Sequence, residues 1–468
     1  MESLPSSLLY FTQQLTNFTR NQIKINPRNT QQIGPNKSNQ LRVALPVNSI
    51  ANMKSLTLHC NLVLEGVAAT GVDGADANAK YPLVPRGGAA ACIERCTWSA
   101  GGIALDNSAT PYNVVQAVRN NLKKGSKKYM TDDKVLCGSI IEEFQGAGTG
   151  TLEDTKRTVS QAITNFAGFT ECEPSYLDLN LIPQLQCTIQ TAPAFNVPWQ
   201  QQGQELGKSA MSGKPNEGKQ CGYTLENCFF SLEVIQIGSG MYDALTQRAM
   251  MERGSLDIPY PQFQVFVGDA KSVQGSVSCM SLDRVMYVQR RDGEIEYSEA
   301  GRNNKSYQAY TTQQPPVGPI PGSTTFAFQQ ASHNFVSDDL KTWQMTINNA
   351  PMPLYDVDCN TESFAIAMNA DDRSYSNQRG GLVSSQEMWK ENCWCAVQRL
   401  KFSEDPRRLS GLNLSSINSQ IRLRRTEEAV KTTDTTKNEG NYKKQGLLIT
   451  EQTSILRVGP GRAISVVA

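Results

Sequence analysis

Two histidines, His59 and His333, are the whole imidazole supply of this 468-residue chain. Proton-shuttling chemistry at neutral pH would have to use one of them or a tuned carboxylate. A hydrolase must bring together a nucleophile, a base and an orienting group. Neither histidine lies in a G-x-S-x-G-like or comparable setting. His59 falls on the more polar face of an alternating run, with no acid or cysteine at metal spacing on that face. It reads as a surface imidazole. Cys92 and Cys96 give a C-x3-C spacing without a second pair close by, which a structural zinc site would need. Cys393 and Cys395 give C-x-C. On an alternating strand both thiols turn to one side, and burial accounts for that pair. Gly146 to Gly150 reads GAGTG but is followed by Glu153 and Asp154, without the order of a phosphate loop. H-E-x-x-H and the dinucleotide fingerprint are absent, and no pair among 44 carboxylates is singled out by spacing. The expectation is a protein without catalytic residues, cofactor or metal.

Charge points the same way. Lys and Arg number 45 against 44 Asp and Glu, a formal charge of +1, so no net field draws the chain to nucleic acid. Aromatic and basic residues interleave around Tyr287–Arg291 and between Tyr297 and Tyr310, yet Asp292, Glu294, Glu296 and Glu299 share the region. A surface loop and a rim touching a host surface or a neighbour both fit. So do a solvated loop and a contact with an acidic partner for Lys123, Lys124, Lys127 and Lys128. No specific nucleic-acid binding is expected.

The elements that would hold any site are strands. The stretch from 409 to 467 organises the rest. Ile417, Ile421 and Leu423, then Leu447 and Ile449, then Ile455, Leu456 and Val458 recur at about period two around a polar excursion. A late strand with one apolar face needs a sheet already built from earlier chain. Upstream, Leu56, Leu58, Cys60, Leu62 and Leu64 alternate with Thr57, His59, Asn61 and Val63. Further strands are predicted at 41–50, 101–105, 177–181, 185–189, 223–237, 263–267, 275–288, 326–328, 341–347 and 364–368, with helices at 112–122 and 241–251. Gly-, Pro- and polar-rich stretches at 66–90, 289–322 and 426–446 read as projecting loops, and 199–220 as the linker between two β units.

Residues 1–40 read as an arm. Leu8, Phe11, Leu15 and Phe18 fall on one helix face, with Pro5 suiting the helix start. They are the contact candidates. A helix packed on its own domain and an arm anchored on a neighbour or a membrane surface are both open. Arg20, Lys24, Arg28 and Lys37 stand against Glu2 alone. The start does not read as a signal peptide, no run of 18 apolar residues occurs, and the 12 cysteines form no dense framework. Free, buried thiols and synthesis in the host cytoplasm are expected.

The terminal stretch Thr453-Ser454-Ile455-Leu456-Arg457-Val458-Gly459-Pro460-Gly461 resembles the closing strand of double jelly-roll major capsid proteins of eukaryotic DNA viruses. That group includes large icosahedral viruses, virophages and Polinton-like elements. Gly411 to Ile417 (GLNLSSI) resembles the stretch before that family's penultimate strands, and 41–50 with 54–64 its opening strands. The aromatic of the terminal motif is missing and Gly-Pro-Gly replaces the usual turn. The resemblance implies an all-β chain of two consecutive eight-stranded antiparallel jelly rolls. The domains would be an arm at 1–40, a first roll at 41–198, a linker at 199–220, and a second roll at 221–464 with insertions at 289–322 and 426–446. It implies a homotrimer, a pseudo-hexagonal capsomer, in an icosahedral virion capsid. Its partners would be neighbouring capsomers and minor capsid proteins, with the arm at the inner face touching an internal membrane or tying capsomers. On that layout, removing 1–38 would leave the trimer intact but impair shell closure. A vertex (penton-like) or minor capsid protein and a receptor- or carbohydrate-binding β protein are the alternatives. The number of complete sandwiches discriminates between them.

Overall fold

The computed structural model describes residues 18–65 (except 36 and 48), 67–68, 80–85 (except 82), 88–106, 110–123, 156–193 (except 165), 199–201, 222–237, 251–270 (except 253), 273–291, 335, 340–370 (except 360), 394–403, 408–415, 419–427 and 444–467. Eight strands build the first unit: β1 (Phe18–Ile25), β2 (Gln40–Ala44), β3 (Ile50–Glu65), β4 (Ile93–Ala100), β5 (Ile103–Asp106), β6 (Tyr176–Asp178), β7 (Gln186–Thr191) and β8 (Gly222–Ile237). One sheet has the order β1-β8-β3-β6, the other β2-β7-β4-β5. Eight more build the second: β9 (Leu256–Asp269), β10 (Gln274–Val277), β11 (Leu282–Arg291), β12 (Leu340–Ile347), β13 (Ala350–Asp358), β14 (Ala396–Arg399), β15 (Ser419–Glu427) and β16 (Lys444–Val458). Their sheets run β9-β16-β11-β14 and β10-β15-β12-β13. Numbered within each unit, both read 1-8-3-6 and 2-7-4-5. That is the strand order of a jelly roll, obtained twice in one chain.

The alternation read from sequence is the core of the first roll. Leu56, Leu58, Cys60 and Leu62 are buried, facing the inside with Phe230, Leu232 and Val234 of β8. Each such aliphatic chain stabilises the fold by about 1.5–3 kcal/mol. β4 and β5 close as a hairpin on Gly101 and Gly102, with φ of 53° and 86°. Two successive positive φ angles fit the right-handed twist of the flanking strands, and glycine adopts them without strain. In each roll a helix follows the fifth strand: α1 (Tyr112–Lys123) and α2 (Thr361–Asn369). Extra strands extend the sheets. Lys156–Ile163 pairs with β3, and Ile464–Val467 folds back on β16 after the Gly459–Pro460–Gly461 turn.

Three sequence expectations are corrected. Residues 364–368, expected to be a strand, lie in α2. Ser363 and Ala367 are buried one helical turn apart, and Glu362 Oε2 accepts the Asp358 N–H at 3.0 Å. The unit boundary at 221 divides one roll. Gly222–Ile237 pairs with β3 along most of its length, so it is the last strand of the first roll, and 199–220 lies between that roll's seventh and eighth strands. A polar, turn-rich stretch has the same composition within a domain as between domains. The arm also yields a strand. Phe18–Ile25 pairs with β8 through eight registers, from Phe18 with Ile237 to Ile25 with Phe230. Leu8, Phe11 and Leu15 lie outside the described residues, as do His333, 241–250, 326–328 and almost all of 289–322 and 426–446.

Candidate functional site

Sequence reasoning named no catalytic constellation, and the structure gives its two closest approaches a plain role. His59 stacks on Phe229 at 4.8 Å and 13°, with Nε2 2.8 Å from Ser231 Oγ and Lys24 Nζ 4.1 Å from the Phe229 ring centre. Partial burial and, to a lesser degree, the Lys24 charge hold its pKa below the ordinary imidazole value. A serine beside a histidine suggests acyl transfer, which also requires an acid on the other ring nitrogen. Among the described residues no acid is bonded to this ring. The cluster is a cross-strand packing of β1, β3 and β8. The cysteines described are free and buried, Cys96 and Cys187 with sulfurs 3.8 Å apart. Burial raises the Cys92 and Cys395 thiols, so they are inert rather than nucleophilic. Among the described residues no cluster of three or more His, Cys, Asp and Glu could hold a metal.

What the residues do assemble is a seam between the two rolls. Phe263 of β9 and Arg284 of β11 are each in register with Glu451 of β16, so the three stand side by side across three strands. All three are buried, with Arg284 Nη1 3.3 Å from Glu451 Oε2. The first roll covers them. Arg119 of α1 lays its guanidinium over the Phe263 ring at 4.8 Å and is ion-paired with Glu171. Tyr260 of β9 donates its hydroxyl proton to the Leu105 carbonyl at 2.6 Å and meets Phe169 edge to face at 5.1 Å. The Glu173 N–H bonds the Pro259 carbonyl at 2.9 Å. Sequence could not find this seam. Its residues are scattered from Leu105 to Glu451 and carry no motif. The signal that existed was the polar run Thr450 to Ser454, with Glu451 in it, between the apolar residues 447–449 and 455–456 of one strand.

The seam carries a prediction. Tyr260→Phe removes the donor to Leu105 and leaves that carbonyl buried. A loss of about 1–3 kcal/mol is expected in urea unfolding, with an unchanged m-value.

Prolines mark two of the sheet edges. β9 and β13 each end a sheet and carry Pro259 and Pro261, and Pro351 and Pro353. Proline has no N–H to offer a passing strand, so these edges are blunted. On β13, Leu354 and Tyr355 stay exposed at 86% and 55%.

No protein-family model and no curated protein matches the chain. Solved structures do. PBCV-1 VP54, as fitted into a reconstruction of the virophage Sputnik, is similar with a TM-score of 0.58 at 10% identity, over 99% of this chain and 100% of that one. The Faustovirus major capsid protein gives 0.53 at 13% identity, over 97% and 92%. A cryo-EM structure of the Sputnik virophage gives 0.53 at 8% identity, over 100% and 92%. The two strand orders and these alignments agree across nearly the whole chain: it has the double jelly-roll fold, shared with these viral structures.

Proposed function

We propose that this chain is the structural major capsid protein of an icosahedral virion, three copies forming one pseudo-hexagonal capsomer. The observation that carries this is the presence of two complete jelly rolls of identical strand order in one chain. Three such chains around a threefold axis present six similar sandwiches, which tile a near-hexagonal lattice. A shell then grows from many copies of the same closed contacts. The second complete roll is also what separates this reading from a vertex protein with one roll and an appended domain. Its role is mechanical: the buried thiols, the packed histidine and the sealed inter-roll face describe a rigid building block. Localisation in the capsid and contacts with neighbouring capsomers and minor capsid proteins follow from this reading. Residues ahead of β1, with Leu8, Phe11 and Leu15, are proposed to reach a neighbour or an underlying membrane at the inner face.

Light scattering on the purified, chromatographed protein tests the assembly unit. Three times the chain mass of 51.5 kDa is the expected species. A persistent monomer or a pentamer would overturn the proposal.

A further inference from the structure

We propose that Asp106 is a proton-operated latch on the seam between the two rolls, which holds when its carboxyl is protonated and loosens when it ionises. This stands on the seam within one chain and does not depend on the shell reading. Asp106 ends β5, next to the Leu105 carbonyl that Tyr260 grips, and is 3% exposed. A Cβ at Gly168 would fall on its Oδ2, so that residue's absent side chain is what admits the carboxyl. Its Oδ1 is buried and has no hydrogen-bond partner among the described residues. Among the described residues the groups around it are Arg119 and Tyr112 of α1, with Glu171 on Arg119, the Phe169 N–H of the turn after 168, Cys96 of β4 and Tyr260 of β9. Beyond Arg119 stand Arg284 and Glu451.

The charges decide the behaviour. Two arginines, Arg119 and Arg284, face two glutamates, Glu171 and Glu451, and are paired with them as Arg119–Glu171 and Arg284–Glu451. Asp283 and Lys401, 3.6 Å apart, balance each other beside them. Asp106 stands apart from these ion pairs, its Oδ1 buried with no hydrogen-bond partner among the described residues. Ionised, it places a charge in a buried site and competes with Glu171 for Arg119. Burial pushes its pKa up to about 7, against smaller opposing effects of the Phe169 N–H and Arg119. Seam opening withdraws Tyr260 from beside it and from the Leu105 carbonyl, and the proposal is that the carboxyl then returns towards the ordinary 3.8. The closed seam therefore holds the proton more tightly than the open one. Closure is fully supported below the ordinary value, weakens as pH rises to about 7, and levels off above it.

Native-state hydrogen exchange reads this at the Glu173 amide, whose bond to Pro259 crosses the seam. Corrected for intrinsic exchange, its protection in the wild-type protein should fall by up to about tenfold per pH unit between pH 5 and 7. In Asp106→Asn, which keeps an acceptor but cannot ionise, it should stay level. Equal slopes in the two proteins, or no slope in the wild type, would overturn the latch. A second measurement needs no variant. In protein labelled at the aspartate carboxyl carbons, one resonance should titrate near pH 7. If every aspartate titrates below pH 5, the proposal fails.

Discussion

Removing residues 2–38 is expected to unfold the first roll, contrary to what an arm at 1–40 would imply. The deletion strips β1, all eight residues of which pair with β8. It also removes Ile33, which is fully buried and exchanges two backbone bonds with Leu225, at 2.9 and 2.8 Å. Ile23 and Ile25 pack on the core beside it. Burial of Ile33 alone is worth about 1.5–3 kcal/mol, and the two half-covered isoleucines add a similar amount. With the ladder included, the loss reaches the order of 5–10 kcal/mol, comparable to the whole stability of a domain. The bared edge of β8 is then open to pairing with other chains. Expected results are loss of the soluble species and of the thermal transition. Removing 2–17 instead keeps every one of these pairings, so that product should stay soluble and keep a cooperative thermal transition. A soluble, folded product lacking 2–38 would contradict the assignment of β1.

The second large effect belongs to the seam. Arg284→Met leaves Glu451 buried with one cation fewer, and a loss of about 3–5 kcal/mol is expected from that uncompensated charge. Arg284→Met with Glu451→Leu removes both charges and keeps comparable volume. Stability should then recover most of the loss, since desolvating an ion pair costs nearly as much as the pair returns. A double-mutant cycle in denaturant measures the coupling directly. Additive losses would show that the two side chains act independently, against the ion pair described.

The strands with clear period two were legible in advance: β3, β12, and the pair of β15 and β16 that close the second roll. Helix α1 was legible from Val114, Val115 and Val118, all now buried. β1 was not, because an edge strand such as FTRNQIKI buries little and carries a weak pattern. Helix α2 was missed because five residues of AIAM-like alternation satisfy both periods, and length alone arbitrates. The unit boundary was misplaced because jelly-roll strands eight and one are neighbours in space but lie at opposite ends of the roll in sequence. No local pattern reports that pairing. The seam was invisible for the same reason: Asp106, Arg119, Glu171, Arg284 and Glu451 meet only after both rolls have folded.

The most direct test of the central claim is a cryo-EM reconstruction of the purified assembly. Three chains should surround a threefold axis, each contributing two upright sandwiches, so that six similar densities form a hexagonal outline. A fivefold ring, or a particle whose chains contribute one sandwich apiece, would contradict the account.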